Sequence, residues 1–91
     1  MAVRVKLPTQ LRDAAGNQAE AQVDGATVGE ALDSLYSQHG ELRSRMADDG
    51  GGLRRFVNVY LGGEDIRFLE GLDTPVSDGD ELTILPAVAG G

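Results

Sequence analysis

Ninety-one residues, 41% hydrophobic and 25% charged, make one soluble globular domain with a single modest core. The absence of cysteine excludes disulfides, thiolate metal sites and a nucleophilic thiol, and a lone histidine, His39, leaves no triad and no histidine-rich metal site. A net charge of -7 argues against nucleic acid, whose phosphates call for clustered Lys and Arg, and favours solubility and steering toward a basic partner surface.

Val3, Val5 and Leu7 alternate with Arg4 and Lys6, the period-two pattern of a strand with one buried face. This start lacks the continuous apolar run of a signal peptide and no later stretch suits a membrane span, so cytoplasmic residence is expected. Residues 13–17, with Gly16-Asn17, read as a turn, and a weaker alternation at Ala19, Ala21 and Val23 completes an antiparallel hairpin. Thr27 and Glu30 form a capping box ahead of Val28, Ala31, Leu32, Leu35 and Tyr36 at helical spacing. The helix is predicted over residues 28–39, with Gly40 as its left-handed C-cap and His39 beside the negative end of the helix dipole. Residues 41–46 suit a short helical turn. Residues 48–52, Asp-Asp-Gly-Gly-Gly, read as a mobile loop rather than a phosphate cradle, because no strand precedes them and no lysine-bearing helix follows.

Residues 55–61 form a strong strand, rich in β-branched and aromatic side chains. Residues 62–65 turn it and residues 66–68 are a short return strand. An irregular crossing over 69–81 leads through the turn Ser77-Asp78-Gly79-Asp80 to a last strand at 82–86. The order β-β-α-β-β-β, with one amphipathic helix across one sheet face, is an α+β architecture. The acidic pairs Asp48/Asp49 and Glu64/Asp65 fall in turns and read as solvated charge rather than acid–base partners.

The face under the helix takes Val3, Val5, Leu7, Val57, Val59, Leu61, Leu82 and Ile84. Period-two geometry then sends Phe56, Asn58, Tyr60, Thr83 and Leu85 to the opposite face. One helix cannot cover both faces, so Phe56, Tyr60 and Leu85 are candidates for an exposed apolar patch, a usual mark of a binding surface. The alternative packs one or two of them under the 69–81 crossing. Beyond the last strand come Pro86, Ala87, Val88, Ala89, Gly90 and Gly91. Glycine loses the most entropy on ordering and packs nothing, so a closing diglycine reads as a thin, flexible end presenting the Gly91 carboxylate.

Arg55-Phe56-Val57-Asn58-Val59-Tyr60, Asp65-Ile66-Arg67-Phe68, Asp78-Gly79-Asp80 and the final Pro86-Ala87-Val88-Ala89-Gly90-Gly91 resemble the prokaryotic ubiquitin-like sulfur carriers of the ThiS/MoaD family, which have the β-grasp fold. Within it the chain looks most like the actinobacterial carriers of cysteine biosynthesis, chiefly over residues 55–91. The resemblance implies a mixed-sheet β-grasp body over residues 1–85 and a flexible diglycine tail over 86–91. It implies a protein co-substrate, not an enzyme, with no cofactor of its own. An ATP-dependent activating enzyme adenylates the Gly91 carboxylate, and persulfide sulfur replaces AMP to give a thiocarboxylate. The acceptor is then a biosynthetic enzyme: a PLP-dependent sulfhydrylase followed by a metal-dependent peptidase in cysteine biosynthesis, or another synthase in molybdopterin or sulfur-containing natural-product pathways; ATP, PLP and metal belong to these partners.

In this scheme Val88, Ala89, Gly90 and Gly91 are the tail required for activation, and Leu85, Phe56, Tyr60 and Pro86 contact partners. Glycine at 90 and 91 lets the tail thread a narrow channel, and residues 86–91 reach about 10–20 Å at about 3.3 Å per residue. Pro86, with no N–H to donate, ends sheet pairing, and Val88 can anchor in a partner groove. Two other readings stand beside this one: a ubiquitin-like modifier joined through Gly91 to lysines, and a β-grasp interaction module with an incidental diglycine.

Overall fold

The computed structural model describes residues 1–86 of the chain, with the backbone alone at Pro86. Strand β1 (Ala2–Lys6) turns Val3 and Val5 inward, as its alternation requires, and pairs antiparallel with β2 (Glu20–Asp24), which contributes Ala21 and Val23. The connection is not the simple turn expected at 13–17. A short helix α1 (Thr9–Arg12) and a 3₁₀ turn (Asp13–Ala15) fill it, because Leu11, Ala14 and Ala15 have core to bury against. Gly16 and Asn17, at φ 65° and 63°, end this segment in the left-handed region.

Helix α2 (Val28–Gln38) lies under the sheet through Val28, Ala31, Leu32 and Leu35. Thr27 Oγ1 accepts the Glu30 N–H at 3.2 Å, while the Glu30 carboxylate accepts from Ala26, one residue earlier than a standard capping box places it. Gly25 is obligatory here: a Cβ would sit 2.5 Å from the Ala31 nitrogen of the helix backbone. The expected left-handed cap at Gly40 does not form. Helix α2 ends at Gln38, His39 makes the corner, and Gly40 opens a further helix α3 (Gly40–Met46). Fully buried Leu42 and Met46, four residues apart, draw the chain into that helix.

Strand β3 (Val57–Leu61) turns through Gly62 and Gly63, both at positive φ, into the two-residue β4 (Glu64–Asp65). The return strand expected at 66–68 is a 3₁₀ turn (Ile66–Phe68). Asp65 Oδ1 accepts the Arg67 N–H at 2.9 Å and bends the chain out of the ladder. A second 3₁₀ turn (Gly71–Asp73) leads to β5 (Glu81–Pro86). The sheet order is β2-β1-β5-β3-β4, with β1 and β5 parallel and the other pairs antiparallel. The final strand is therefore central, clamped on both sides.

The predicted inward set is buried, apart from Leu61, which is half-buried. The outer edge of β2 is covered by α2: Gln38 donates to the Gln22 carbonyl at 2.8 Å and Ser34 Oγ accepts the Asp24 N–H at 3.3 Å. These bonds occupy edge groups that would otherwise template pairing with another strand. The 48–52 loop is organised by Asp48, whose Oδ1 accepts from the N–H groups of Gly50 and Gly52, both at 2.9 Å.

Candidate functional site at the root of the C-terminal tail

Because β5 is central, its C-terminal end leaves the middle of the sheet, where β3 begins and β1 ends. Leu85 stands opposite Asn58, Thr83 opposite Tyr60, and Pro86 opposite Val57. The strand thus reaches Pro86, the end expected of the last strand, and Pro86 is shared between the sheet and the root of the tail expected over 86–91. Val88, Ala89, Gly90 and Gly91 lie outside the described residues.

The face away from the helix is open. Leu85 is 45% exposed on this face. The strand expected from Arg55 begins only at Val57, so Phe56, 51% exposed, stands in the turn before β3 rather than on the sheet face. Tyr60 is half-buried, beside partly buried Thr83. Sequence reasoning missed Phe68, at 83% the most exposed large apolar side chain among the described residues, with Leu69 beside it. Reading 66–68 as a return strand left Phe68 out of the candidate patch, whereas the 3₁₀ turn there projects it into solvent.

The anchor behind Phe68 is the Asp65–Arg67 pair. Asp65 is buried, contrary to the expectation of a solvated turn charge, while Glu64 is exposed. Arg67 Nη2 donates to Asp65 Oδ2 at 2.8 Å and to Asn58 Oδ1 at 2.7 Å. The Arg67 side-chain and backbone donors hold the Asp65 carboxyl below its ordinary value of 3.8. The Asn58 bond ties Arg67, the neighbour of Phe68, to the second residue of β3.

On the β1 side of the tail root a groove of about 520 Å³ is lined by Lys6, Leu7, Pro8, Arg12, Thr83 and Leu85, among others. Glu81 sits between Arg4 (3.5 Å) and Lys6 (3.8 Å) on the open face. On the helix side, burial pushes the Tyr36 hydroxyl up to about 12, with Asp33 adding to the shift and Arg43, 5.9 Å from the ring centroid, opposing it. Among the described residues no group of His, Cys, Asp and Glu is placed to hold a metal, and no helix is long and apolar enough to cross a membrane.

The sequence matches the model of the ThiS family over residues 5–91, through both closing glycines. The chain belongs to the ThiS family. It is 44% identical over 93 aligned positions, covering 100% of both chains, to the sulfur carrier protein CysO of Mycobacterium tuberculosis. It is 41% identical over 88 positions, covering 94% of this chain and 97% of the other, to small archaeal modifier protein 1 of Haloferax volcanii. In three dimensions it is similar to a chain of the Amycolatopsis orientalis BexX/CysO complex, with TM-score 0.90, 47% identity and coverage of 98% and 99%. The mixed five-stranded sheet with its crossing helix is thus the β-grasp, and the relatives that share it are named as a sulfur carrier and a small archaeal modifier. The Amycolatopsis relative is itself found with a partner protein.

Proposed function

We propose that this ThiS-family chain is a sulfur carrier whose reactive group is the Gly91 carboxylate. The observation that carries the reading is the full-length likeness to a sulfur carrier, with a family match that runs through Gly90 and Gly91. A free carboxylate resists substitution because it is anionic and its leaving group is poor. An ATP-dependent activating enzyme converts it to a mixed anhydride with AMP, and persulfide sulfur displaces AMP to leave a thiocarboxylate. The body supplies no acid, base or metal to these steps. It offers exposed apolar side chains for docking, Leu85 with Tyr60 on the open face and Phe56 and Phe68 in turns, and it fixes the point from which the tail departs.

Delivery in the cytoplasm to an amino-acrylate on a PLP-dependent sulfhydrylase, with release of cysteine by a metal-dependent peptidase, suits the CysO likeness. The test is intact mass after incubation with the activating enzyme, ATP and a sulfur donor. A gain equal to the exchange of one oxygen for sulfur, mapped to Gly91, supports the carrier; an unchanged mass overturns it. A second reading, a protein modifier joined through Gly91 to lysines, is favoured by the likeness to small archaeal modifier protein 1. High-mass conjugates in the same reaction identify it.

A further inference from the structure

The sequence holds one lysine against seven arginines. Guanidinium stays protonated and does not compete as a nucleophile, so Lys6 is the chain's one side-chain amine. We propose that Lys6 is an acceptor site for the chain's own activated Gly91, forming an intramolecular amide that retires unused activated carrier. Its biological relevance rests on the reading of Gly91 as an activated end, but the chemistry at Lys6 is testable without it.

Position decides the case. Lys6 is the last residue of β1 and pairs in parallel register with Thr83 of β5, three positions before Pro86. With about 3.3 Å per strand residue and about 4.8 Å between strands, its Cα lies roughly 11 Å from that of Pro86. Five residues follow Pro86 and span up to about 16 Å when extended. The side chain is half-exposed, lies on the open face and lines the groove at the tail root. Five residues are therefore long enough to bring Gly91 to Lys6, and glycine at 90 and 91 excludes no φ angle on the way. The Met1 α-amine is the chain's other amine. It lies at the far end of β1, beside Gly25, which donates to the Met1 carbonyl. That end is roughly 26 Å from Pro86 by the same strand rise, out of the tail's range.

Proximity also favours the chain's own amine over one on another copy. A tether of five residues gives an effective concentration of about millimolar, about a hundredfold above carrier at about 10 μM. The Lys6 ammonium gives one proton to water or to Glu81, whose carboxylate is 3.8 Å from Nζ. Nζ then attacks the Gly91 carbonyl carbon of an acyl adenylate or thioester. The C–N bond forms, the C–O or C–S bond breaks, and AMP or thiolate leaves with the electron pair. The second proton is lost to solvent, leaving a neutral amide. Arginine at the other cationic positions then confines self-acylation to this one residue.

The test uses the whole chain carrying a Gly91 thioester, made by intein cleavage with mercaptoethanesulfonate, at neutral pH. The expected product is monomeric, one water lighter than the free acid, with a Lys6–Gly91 cross-link in its peptide map and a rate independent of protein concentration. Lys6→Arg, which keeps the charge beside Glu81, should form at least about tenfold less amide and hydrolyse instead. Covalent dimers as the main amide, acylation at Met1, or equal hydrolysis in wild type and Lys6→Arg would each overturn the proposal. If the thioester closes on Lys6 but the activating enzyme leaves Gly91 unmodified, the Lys6 chemistry stands and the carrier reading falls.

Discussion

Leu85→Asp separates a docking side chain from a core side chain. In the free protein 45% of Leu85 faces solvent, opposite Asn58 on the open side of the sheet. Full burial of a leucine contributes about 1.5–3 kcal/mol, so covering the exposed remainder in a complex contributes about 1 kcal/mol. Aspartate forfeits that and leaves an unpaired carboxylate in the contact, which costs about 1–3 kcal/mol more. A loss of about 2–4 kcal/mol weakens binding about 30- to 700-fold at about 1.4 kcal/mol per tenfold. Folding suffers less, because a solvent-facing strand position loses about 1 kcal/mol of strand preference. That corresponds to about 4–8 °C in Tm for a domain of this length. Titration calorimetry against the activating enzyme and differential scanning calorimetry of the free variant measure the two effects. An unchanged Kd with a much larger fall in Tm refutes the reasoning and returns Leu85 to the core.

Deleting Gly91, or replacing Gly90 with Val, should abolish the sulfur-exchange mass gain while leaving Tm within about 1 °C, since neither change touches the buried core; a variant that still charges refutes the tail mechanism. Gly25→Ala should destabilise by about 1–3 kcal/mol in urea unfolding, because its Cβ meets the Ala31 nitrogen at 2.5 Å and the helix backbone must shift. An unaltered midpoint would show that the β2–α2 joint yields freely. Asp65 carries a pH signature. Its carboxyl is held below 3.8 in the folded chain, so its contribution is present above that value and lost as pH falls through the lower folded value. Wild type should exceed Asp65→Asn in stability at pH 6, and the gap should close on acidification; a gap constant from pH 6 to pH 2 contradicts the Arg67 pairing.

Period-two alternation was enough to sort the sheet into faces, since Val3, Val5, Val59, Leu82 and Ile84 owe their burial to the pleat alone. Local signals failed where a tertiary partner overrode them. Gly40 has the look of a helix terminator, yet a second helix starts there because Leu42 and Met46 find core beneath them. Residues 66–68 have strand composition, yet the Asp65 carboxylate captures the Arg67 N–H and ends the ladder. That capture exposes Phe68, and no alternation pattern predicts a side-chain cap two residues away. Residues 13–17 read as a plain turn, because Leu11, Ala14 and Ala15 are too few to announce a helix without the surface they cover.

The position of β5 links the body to the chemistry proposed for its end. A tail leaving an edge strand would inherit that strand's fraying, and its reach from any docking face would vary. Here β5 is bonded on one side to β1 and on the other to β3, with paired positions up to Pro86 opposite Val57. Leu82 and Ile84, both fully buried, pin the same strand from below. A partner that grips Leu85 therefore holds the tail root at a constant offset. Five residues separate Pro86 from the end of Gly91. Shortening that segment by one residue removes about 3.3 Å of reach, whereas mutations within the sheet leave the offset unchanged until they unfold it. Charging should accordingly be steeply sensitive to tail length and nearly indifferent to core substitutions that merely lower Tm. Activation assays on tail deletions beside Ile84→Val compare the two directly.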